Sequence, residues 1–137
     1  MDVQSIFKFI GEQKTAFIGS VDGDGFPNVK AMYAPRVIEG KEMYFSTNTS
    51  SVRVAQFRQN ERACVYFYKR GRFKYEGVQL VGRMEVLEDG ESKRKIWRTG
   101  DTHFYKKGVT DPDYCVLRFT AERGRYYCNF KNFDFEL

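Results

Sequence analysis

The sequence is poor in the residues that most often carry out chemistry by themselves, with one histidine and three cysteines among 137 residues. The cysteines, Cys64, Cys115 and Cys128, are odd in number and widely spaced, which is unlike a disulfide framework or a zinc site. Each lies in an apolar run, so we expect three buried thiols and no bound metal. The single histidine, His103, falls in a loop-like segment. Cysteine-nucleophile chemistry, which requires a histidine partner, is therefore not expected.

Long apolar runs are also absent. No stretch of the sequence is long enough to span a membrane, and the opening MDVQSIFKFIGEQK lacks the basic and then apolar pattern of a signal peptide. We therefore expect a cytoplasmic protein with no membrane partner. The chain is 42% hydrophobic and 30% charged, and its length suits one domain over residues 1–137 with a single core.

Basic residues exceed acidic ones, giving a net charge of +5, but they are scattered among 18 acids. The densest basic run is YKRGRFK at residues 68–74. It is more typical of a solvated hairpin turn around Gly71 than of an RNA-binding loop, so we expect no nucleic-acid partner. A moderately basic protein can equally bind small phosphorylated ligands.

Alternating apolar residues and turn signals predict many strands and a few short helices. A first helix capped by Asp2 would bury Val3, Ile6, Phe7 and Ile10. The predicted strands cover residues 15–21, 26–33, 42–46, 62–69, 73–87, 114–121 and 124–130, and further helices cover 51–59 and 91–98. We expect a bulge in the strand 73–87, a closing hairpin around residues 122–124, and irregular structure over 100–113. This order indicates a mainly antiparallel β-barrel or sandwich with short helices.

The stretch YFSTNTSSVRVAQFRQN, residues 44–60, places six small polar residues between a strand and a helix. The start of a helix offers free N–H groups and the positive end of its dipole. Either Ser50 or Ser51 merely caps the helix, or the junction binds a phosphate with help from Arg53. On this segment alone the cap is favoured. The inward-facing residues of the helix are expected to be Val52, Ala55, Gln56 and Phe57.

Lys30 shifts the balance toward a phosphate site. It lies in the predicted strand 26–33, which we expect to be central and adjacent to strand 42–46. A lysine in a central strand is unusual unless a negative group meets it, whereas an edge-strand lysine would simply face solvent. The groups expected to converge on a phosphate are Lys30, Arg53, Ser46, Thr47 and Ser51.

Four motifs in this order resemble the FMN-binding split barrel family related to pyridoxamine 5′-phosphate oxidase. They are G-x-P-x-x-K-A-M, Y-F-S-T-N-T-S-S-x-R, N-E-R-A-C-V-Y-F and E-G-V-Q-L-V-G-R-M-E-V-L. The resemblance covers residues 15–87 well, and the remainder, with KIWR, DPDYCVLRF and GRYY, resembles the small stand-alone members. No single motif is decisive, but their order and spacing together are fairly specific.

The resemblance implies a six-stranded split barrel that forms a homodimer, with two FMN sites at the subunit interface. The phosphate would be held by Lys30, Ser51 and Arg53. The flavin and its ribityl chain would be bordered by Ala31, Met32, Tyr33, Phe45, Ser46 and Thr47. Two weaker assignments are Gln79, whose amide would reach a ring heteroatom, and Trp97, which would pack near the partner's site.

The sequence departs from the oxidase pattern at three places. Val52 stands where a second cation usually precedes Arg53, Gly77 stands at the strand glutamine, and the ending KNFDFEL lacks the Arg-Leu and Pro that bind the vitamin phosphate. These departures weaken the vitamin substrate more than the flavin, and they leave no residue marked as catalytic.

We therefore expect an FMN-dependent oxidoreductase that passes electrons between NADH, NADPH or another donor and a small molecule. A flavin reductase, a nitro-group reductase and a general stress protein are all possible within this class. Two alternatives from other classes are a cofactor carrier without turnover and a nucleic-acid-binding small barrel that uses YKRGRFK.

Overall fold

The computed structural model describes all residues from 1 to 137 and contains eight strands and three α-helices. The strands are β1 Thr15–Val21, β2 Pro27–Tyr33, β3 Val37–Glu39, β4 Glu42–Asn48, β5 Arg62–Arg70, β6 Tyr75–Leu87, β7 Tyr114–Cys128 and β8 Lys131–Glu136. The helices are α1 Val3–Gly11, α2 Val52–Gln59 and α3 Gly90–Ile96, followed by 3₁₀ turns at Thr99–His103 and Gly108–Thr110. None of the helices approaches the length and apolarity that crossing a membrane requires.

All strand pairings are antiparallel, and the strands follow the order β2-β1-β5-β6-β7-β4-β3, with β8 added to β7. The 15 residues of β7 organise the sheet because this strand pairs with β6 along its length, with β4 through its first half and with β8 through its second half. The mainly β, antiparallel split-barrel fold predicted from the sequence is therefore confirmed, although with eight strands rather than six.

The strand that carries Lys30 lies at the edge of the sheet. β2 pairs only with β1, and β4 pairs with β3 and β7. The prediction that β2 is central and adjacent to β4 is therefore wrong. The two strands belong to opposite ends of the sheet order, and between them the barrel is open.

One large core fills the barrel because alternate residues of every central strand turn inward. Its fully buried large side chains include Phe45, Phe67, Leu80, Leu117 and Phe119. The cysteines differ from the expectation of three buried thiols, since only Cys115 is buried and the other two are half-buried, and all three are unpaired.

Helices α1 and α2 pack against this core, and their buried faces differ in part from the predicted ones. In α1 the capping carboxylate of Asp2 accepts from the Ser5 amide at 2.8 Å, and Phe9 rather than Phe7 completes the buried face. In α2 the buried residues are Val54 and Phe57. The predictions that Val52 and Ala55 face inward are wrong, because the helix packs through the face that carries Val54 and Phe57, and both other residues remain exposed.

The last third of the chain corrects two predictions. No hairpin forms at residues 122–124, since β7 runs through them without a break. A Cβ on Gly124 would lie 2.4 Å from the Phe135 ring and 2.7 Å from Leu80. That glycine therefore serves close packing within one continuous strand. The actual hairpin turns at Asn129–Phe130 and adds β8, which the sequence did not indicate. The bulge predicted in β6 lies instead in its partner strand: Val81 pairs with Arg123 and Gly82 with Ala121, so the extra residue is Glu122 of β7.

Candidate functional site

A cleft of about 460 Å³ lies where the barrel is open, between the edge strand β2 and the end of β4. Small-molecule sites are commonly of this size. The cleft is lined by Lys30, Met32, Tyr33, Ala34, Arg36, Ser46, Thr47, Asn48, Arg53, Phe104, Tyr105 and Asp113. Two strands that share no hydrogen bond thus still bring Lys30 together with the polar end of β4.

Arg53, the second residue of α2, is the most unusual side chain in the cleft. Its Nε is buried and has no hydrogen-bond partner, and no carboxylate forms an ion pair with its guanidinium. Burial lowers the pKa of Arg53 because it disfavours the charged form. A half-buried arginine whose Nε has no acceptor carries a desolvation cost that no hydrogen bond offsets. An anion in the cleft would supply the missing acceptor.

Three other charged side chains line the cleft, namely Lys30, Asp113 and Arg36, the last of which is paired. Lys30 forms no ion pair, so it adds a second uncompensated cation. Asp113 supplies a carboxylate, but this group is already engaged, since its Oδ1 accepts from the Ser50 amide at 2.9 Å. The local charge therefore favours an anionic ligand.

The small polar run between β4 and α2 has two structural roles. Ser51 caps the helix, since its Oγ accepts from the Val54 amide at 3.2 Å. Thr49 and Ser50 are tied to the segment before β7, with the Thr49 amide donating to the Asp113 carbonyl at 2.7 Å. The cap interpretation is thus confirmed, and the same junction fixes the positive end of α2 beside Arg53.

Arg36 is the cation of the cleft that does have a partner. Its guanidinium forms a bidentate pair with the buried carboxylate of Asp101, with Nη2 at 2.7 Å from Oδ1, and it donates to the Ile96 carbonyl at 3.1 Å. The same carboxylate accepts from the Arg98 amide at 2.9 Å. Hydrogen bonding to Arg36 lowers the pKa of Asp101, whose charged form is the one being stabilised.

The pair between Arg36 and Asp101 holds in place the two aromatic residues, Phe104 and Tyr105, that form the aromatic wall of the cleft. Asp101 belongs to the 3₁₀ turn that immediately precedes Phe104 and Tyr105, so anchoring the turn to Arg36 fixes where both rings lie. Phe104 is 67% exposed, and Tyr33 across the cleft is 85% exposed. Burial raises the pKa of Tyr105, which keeps its hydroxyl protonated at neutral pH. The cleft therefore offers flat apolar surfaces beside its cations.

Six of the residues expected to bind a cofactor line this cleft, namely Lys30, Met32, Tyr33, Ser46, Thr47 and Arg53. The others lie outside it in this chain. The Ala31 side chain alternates to the outer face of β2, the Phe45 ring is buried in the core, and the Ser51 Oγ accepts the capping hydrogen bond, which leaves its O–H able to donate.

The remaining two residues of the expected set, Gln79 and Trp97, also lie outside the cleft. Gln79 projects from the outer face of β6, where it is paired with Tyr66 and Arg125. Trp97 packs against Tyr114, with ring centroids 5.1 Å apart, behind the aromatic wall.

The lining residues that were not predicted are Ala34, Arg36, Asn48, Phe104, Tyr105 and Asp113. Arg36 directly follows a proline, and Phe104 and Tyr105 lie in a segment with no periodic pattern. A pair of adjacent aromatics in an otherwise polar stretch is the one signal that would have marked this segment.

Fold and cleft together define a small antiparallel split-barrel protein with a cationic, aromatic-walled cleft at the barrel opening. The chain matches the pyridoxamine 5′-phosphate oxidase family over residues 3–128. This chain therefore belongs to the pyridoxamine 5′-phosphate oxidase family, in agreement with the resemblance seen in its motifs.

Solved structures support the same conclusion. A protein related to general stress protein 26 from Clostridium acetobutylicum is 36% identical, with a TM-score of 0.84 over 98% of this chain and 93% of that one. General stress protein 26 from Bacillus anthracis is 18% identical, with a TM-score of 0.74 over 96% of both chains.

A more distant likeness is to a heme binding protein from Mycobacterium smegmatis. It is 12% identical, with a TM-score of 0.72 over 92% of this chain and 54% of that one, so it shows a shared fold. A comparison with curated protein sequences gave no match.

Proposed function

We propose that the cleft binds FMN and that the protein is an FMN-dependent oxidoreductase. The observation that carries this proposal is Arg53, a half-buried cation whose Nε lacks a partner and which lies beside the uncompensated Lys30. A dianionic phosphate offers three acceptor oxygens, enough for both side chains and for the N–H groups at the start of α2. A ligand without an acceptor at this point would leave the buried Nε of Arg53 unsatisfied.

The rest of the lining also fits a phosphorylated flavin. The exposed rings of Tyr33 and Phe104 provide flat surfaces for an isoalloxazine ring, which is planar and largely apolar. Ser46 and Thr47 offer hydroxyls that suit a polyol chain. The Tyr105 hydroxyl stays protonated and is available as a donor.

Bound FMN would supply hydride or single-electron transfer at its ring, and the chain would bind and orient it. Arg53 and Lys30 would neutralise the phosphate, while Phe104 and Tyr105 would exclude water from one side of the ring. The electron donor proposed is NADH or NADPH, and the acceptor is a small molecule. Oxidation of pyridoxamine 5′-phosphate is not proposed, because Val52 and Gly77 depart from the oxidase pattern within the matched part of the chain.

We also propose a homodimer, supported by the outer face of the sheet. Across β2, β1 and β5 this face carries Val29, Phe17, Tyr66 and Tyr68, and the alternation of β5 places Arg62 and Arg70 at its two ends. Such a patch is typical of an interface between subunits. Light scattering should give twice the chain mass, and Tyr68→Asp should lower it.

An absorbance spectrum of the purified protein tests the cofactor directly. A flavin spectrum, with FMN identified after release, would support the proposal, and oxidation of NADH or NADPH would then separate an enzyme from a carrier. A haem spectrum, with His103 as the only histidine available as a ligand, would contradict it. Colourless protein that takes up no added FMN would contradict it as well.

A further inference from the structure

Two hairpin turns lie side by side at one end of the barrel, and we call them the paired turns, defined as residues 69–75 and 129–131. They are tied together by two hydrogen bonds. The Tyr75 amide donates to Asn129 Oδ1 at 3.0 Å, and the Asn129 amide donates to the Tyr75 carbonyl at 3.3 Å. The two turns therefore present one surface.

Each of the paired turns exposes a phenylalanine to solvent. Phe73 is 85% exposed and Phe130 is 93% exposed, so both rings stand in solvent. Phe130 also has a φ of 71°, in the left-handed region where a bulky side chain is disfavoured and glycine is preferred. Folding gains nothing from an exposed ring in a strained position, and such outliers commonly mark function.

The charges around these rings are all of one sign. The paired turns contain no acidic residue, and their cations are Lys69, Arg70, Arg72, Lys74 and Lys131. Only Lys74 forms an ion pair, with Glu76 at 3.5 Å. The Arg72 guanidinium lies 5.3 Å from the centre of the Phe73 ring, so charge and apolar surface adjoin at the apex.

We propose that the paired turns dock on the surface of an anionic lipid bilayer. Two rings at the apex match the boundary between headgroups and acyl chains, and the cations beside them match anionic headgroups. Tyr75, half-exposed just behind the apex, occupies the level that tyrosines favour at a membrane interface. The expectation of no membrane partner rested on the lack of a spanning segment, and this surface revises it toward peripheral attachment.

A lipid surface fits these turns better than a nucleic acid does. Proteins that bind single strands usually hold the backbone in a basic groove and stack bases on aromatic rings along it. Here both phenylalanines lie on protruding turns, and neither lines one of the main clefts of the molecule. A protruding surface suits a planar partner.

The β1–β2 turn provides a matched control within the same molecule. It also exposes a phenylalanine, Phe26, at 67%. Its charged side chains are Asp22 and Asp24, and Asp22 Oδ1 accepts from the Phe26 amide at 2.9 Å. An exposed ring without cations is therefore available for comparison.

The test is sedimentation of the full chain with phosphatidylcholine vesicles that do or do not contain phosphatidylserine, at low and high salt. We expect binding only to the anionic vesicles and release by salt. The double variant Phe73→Ser/Phe130→Gly should bind at least about tenfold more weakly. Phe26→Ser should bind like the unmodified protein, and FMN uptake should be unchanged in all variants.

A second variant guards against a folding defect in the first. Arg70→Gln/Arg72→Gln keeps both rings and should weaken binding to anionic vesicles by roughly tenfold or more. The proposal is overturned if the unmodified protein ignores anionic vesicles or if Phe26→Ser loses as much binding as the double variant. It is also overturned if the turn variants change only oligonucleotide binding or the oligomeric mass.

Discussion

The cleft and the paired turns both hold cations without acidic partners, yet burial separates them. Arg53 is half-buried with an unsatisfied Nε, whereas Arg70 and Arg72 stand in solvent, where water satisfies their donors. A desolvated cation gains most from one well-placed anion, while solvated cations act together on an extended surface and are screened by salt. The same residue type thus specifies a small ligand in one region and a charged surface in the other.

Within the cleft, the pair between Arg36 and Asp101 allows the contribution of a buried partner to folding stability to be measured. Replacing its buried partner, Asp101→Asn, should lower the free energy of unfolding by about 3 kcal/mol, because it leaves a partly buried cation unpaired. Urea denaturation at pH 7 measures this loss. Lys95→Gln, which breaks the more exposed pair with Glu39, is the control and should cost little. Equal losses in both variants would refute the role given to Asp101.

The pair also predicts how stability depends on pH. The pKa of Asp101 is lower in the folded protein than in the unfolded chain, where it is about 3.9. Its contribution is therefore complete above that value and is lost as the pH falls through the folded pKa. Asp101→Asn should flatten the fall in stability below about pH 4. An unchanged acid slope would contradict the proposed pairing.

The unpaired cation should behave in the opposite way. Arg53→Ala should weaken FMN binding by about 1.5–3 kcal/mol, the value of a charge-assisted contact. It should leave folding stability unchanged or slightly raised, because burial of the unpaired charge opposes folding. Flavin fluorescence titration and thermal unfolding measure the two effects. Lys30→Ala should weaken FMN binding by a similar amount.

The control lies on the same helix. Arg58 is near the end of α2, and its pair with Glu88 is about half exposed on both sides. Arg58→Ala should therefore alter neither FMN affinity nor stability by much. If it weakens FMN binding as strongly as Arg53→Ala, the effect is one of general charge, and the phosphate assignment is wrong.

At the paired turns, we expect a substitution that weakens vesicle binding to raise folding stability. Phe130→Gly should raise the free energy of unfolding by about 0.5–1 kcal/mol, because glycine adopts the left-handed backbone without strain but loses more entropy on folding. Chemical denaturation measures the gain. A destabilised Phe130→Gly variant would show that the ring supports the fold, which would remove the reason to assign it a function.

The smallest expected effect is that of a cation in the same region. Arg70→Gln should change stability by no more than about 0.5 kcal/mol, since the side chain is exposed and unpaired. Differential scanning fluorimetry checks this, and a larger loss would place Arg70 in a structural contact.

Local rules explain why most of the fold could be predicted. Strands β1 and β5 follow from their β-branched and aromatic residues, whereas the glycines of β6 predicted a bulge that the structure places at Glu122 of β7. The prediction of a hairpin at residues 122–124 was wrong because Gly124 is needed for close packing against the Phe135 ring of β8 and against Leu80, which comes from the distant strand β6. Sequence alone does not distinguish a turn glycine from a packing glycine.

The cleft was predictable to a similar extent. Arg53 was predicted from its position at the start of a helix behind a run of small polar residues, whereas the argument for Lys30 assumed a central strand and β2 is an edge strand on which Lys30 is exposed. Phe104 and Tyr105 were not predicted, because their positions depend on a pairing between Arg36 and Asp101, which are 65 residues apart. Tertiary pairings of this kind leave no periodic trace in the sequence.

The central claim, that Arg53 binds a phosphate, is tested most directly by titrating FMN and riboflavin into the unmodified protein and into Arg53→Ala. The two ligands differ only in the phosphate. The unmodified protein should prefer FMN by at least about tenfold, and Arg53→Ala should lose most of that preference while its affinity for riboflavin stays the same. Equal affinity of the unmodified protein for both ligands, or an undiminished preference in the variant, would contradict the claim.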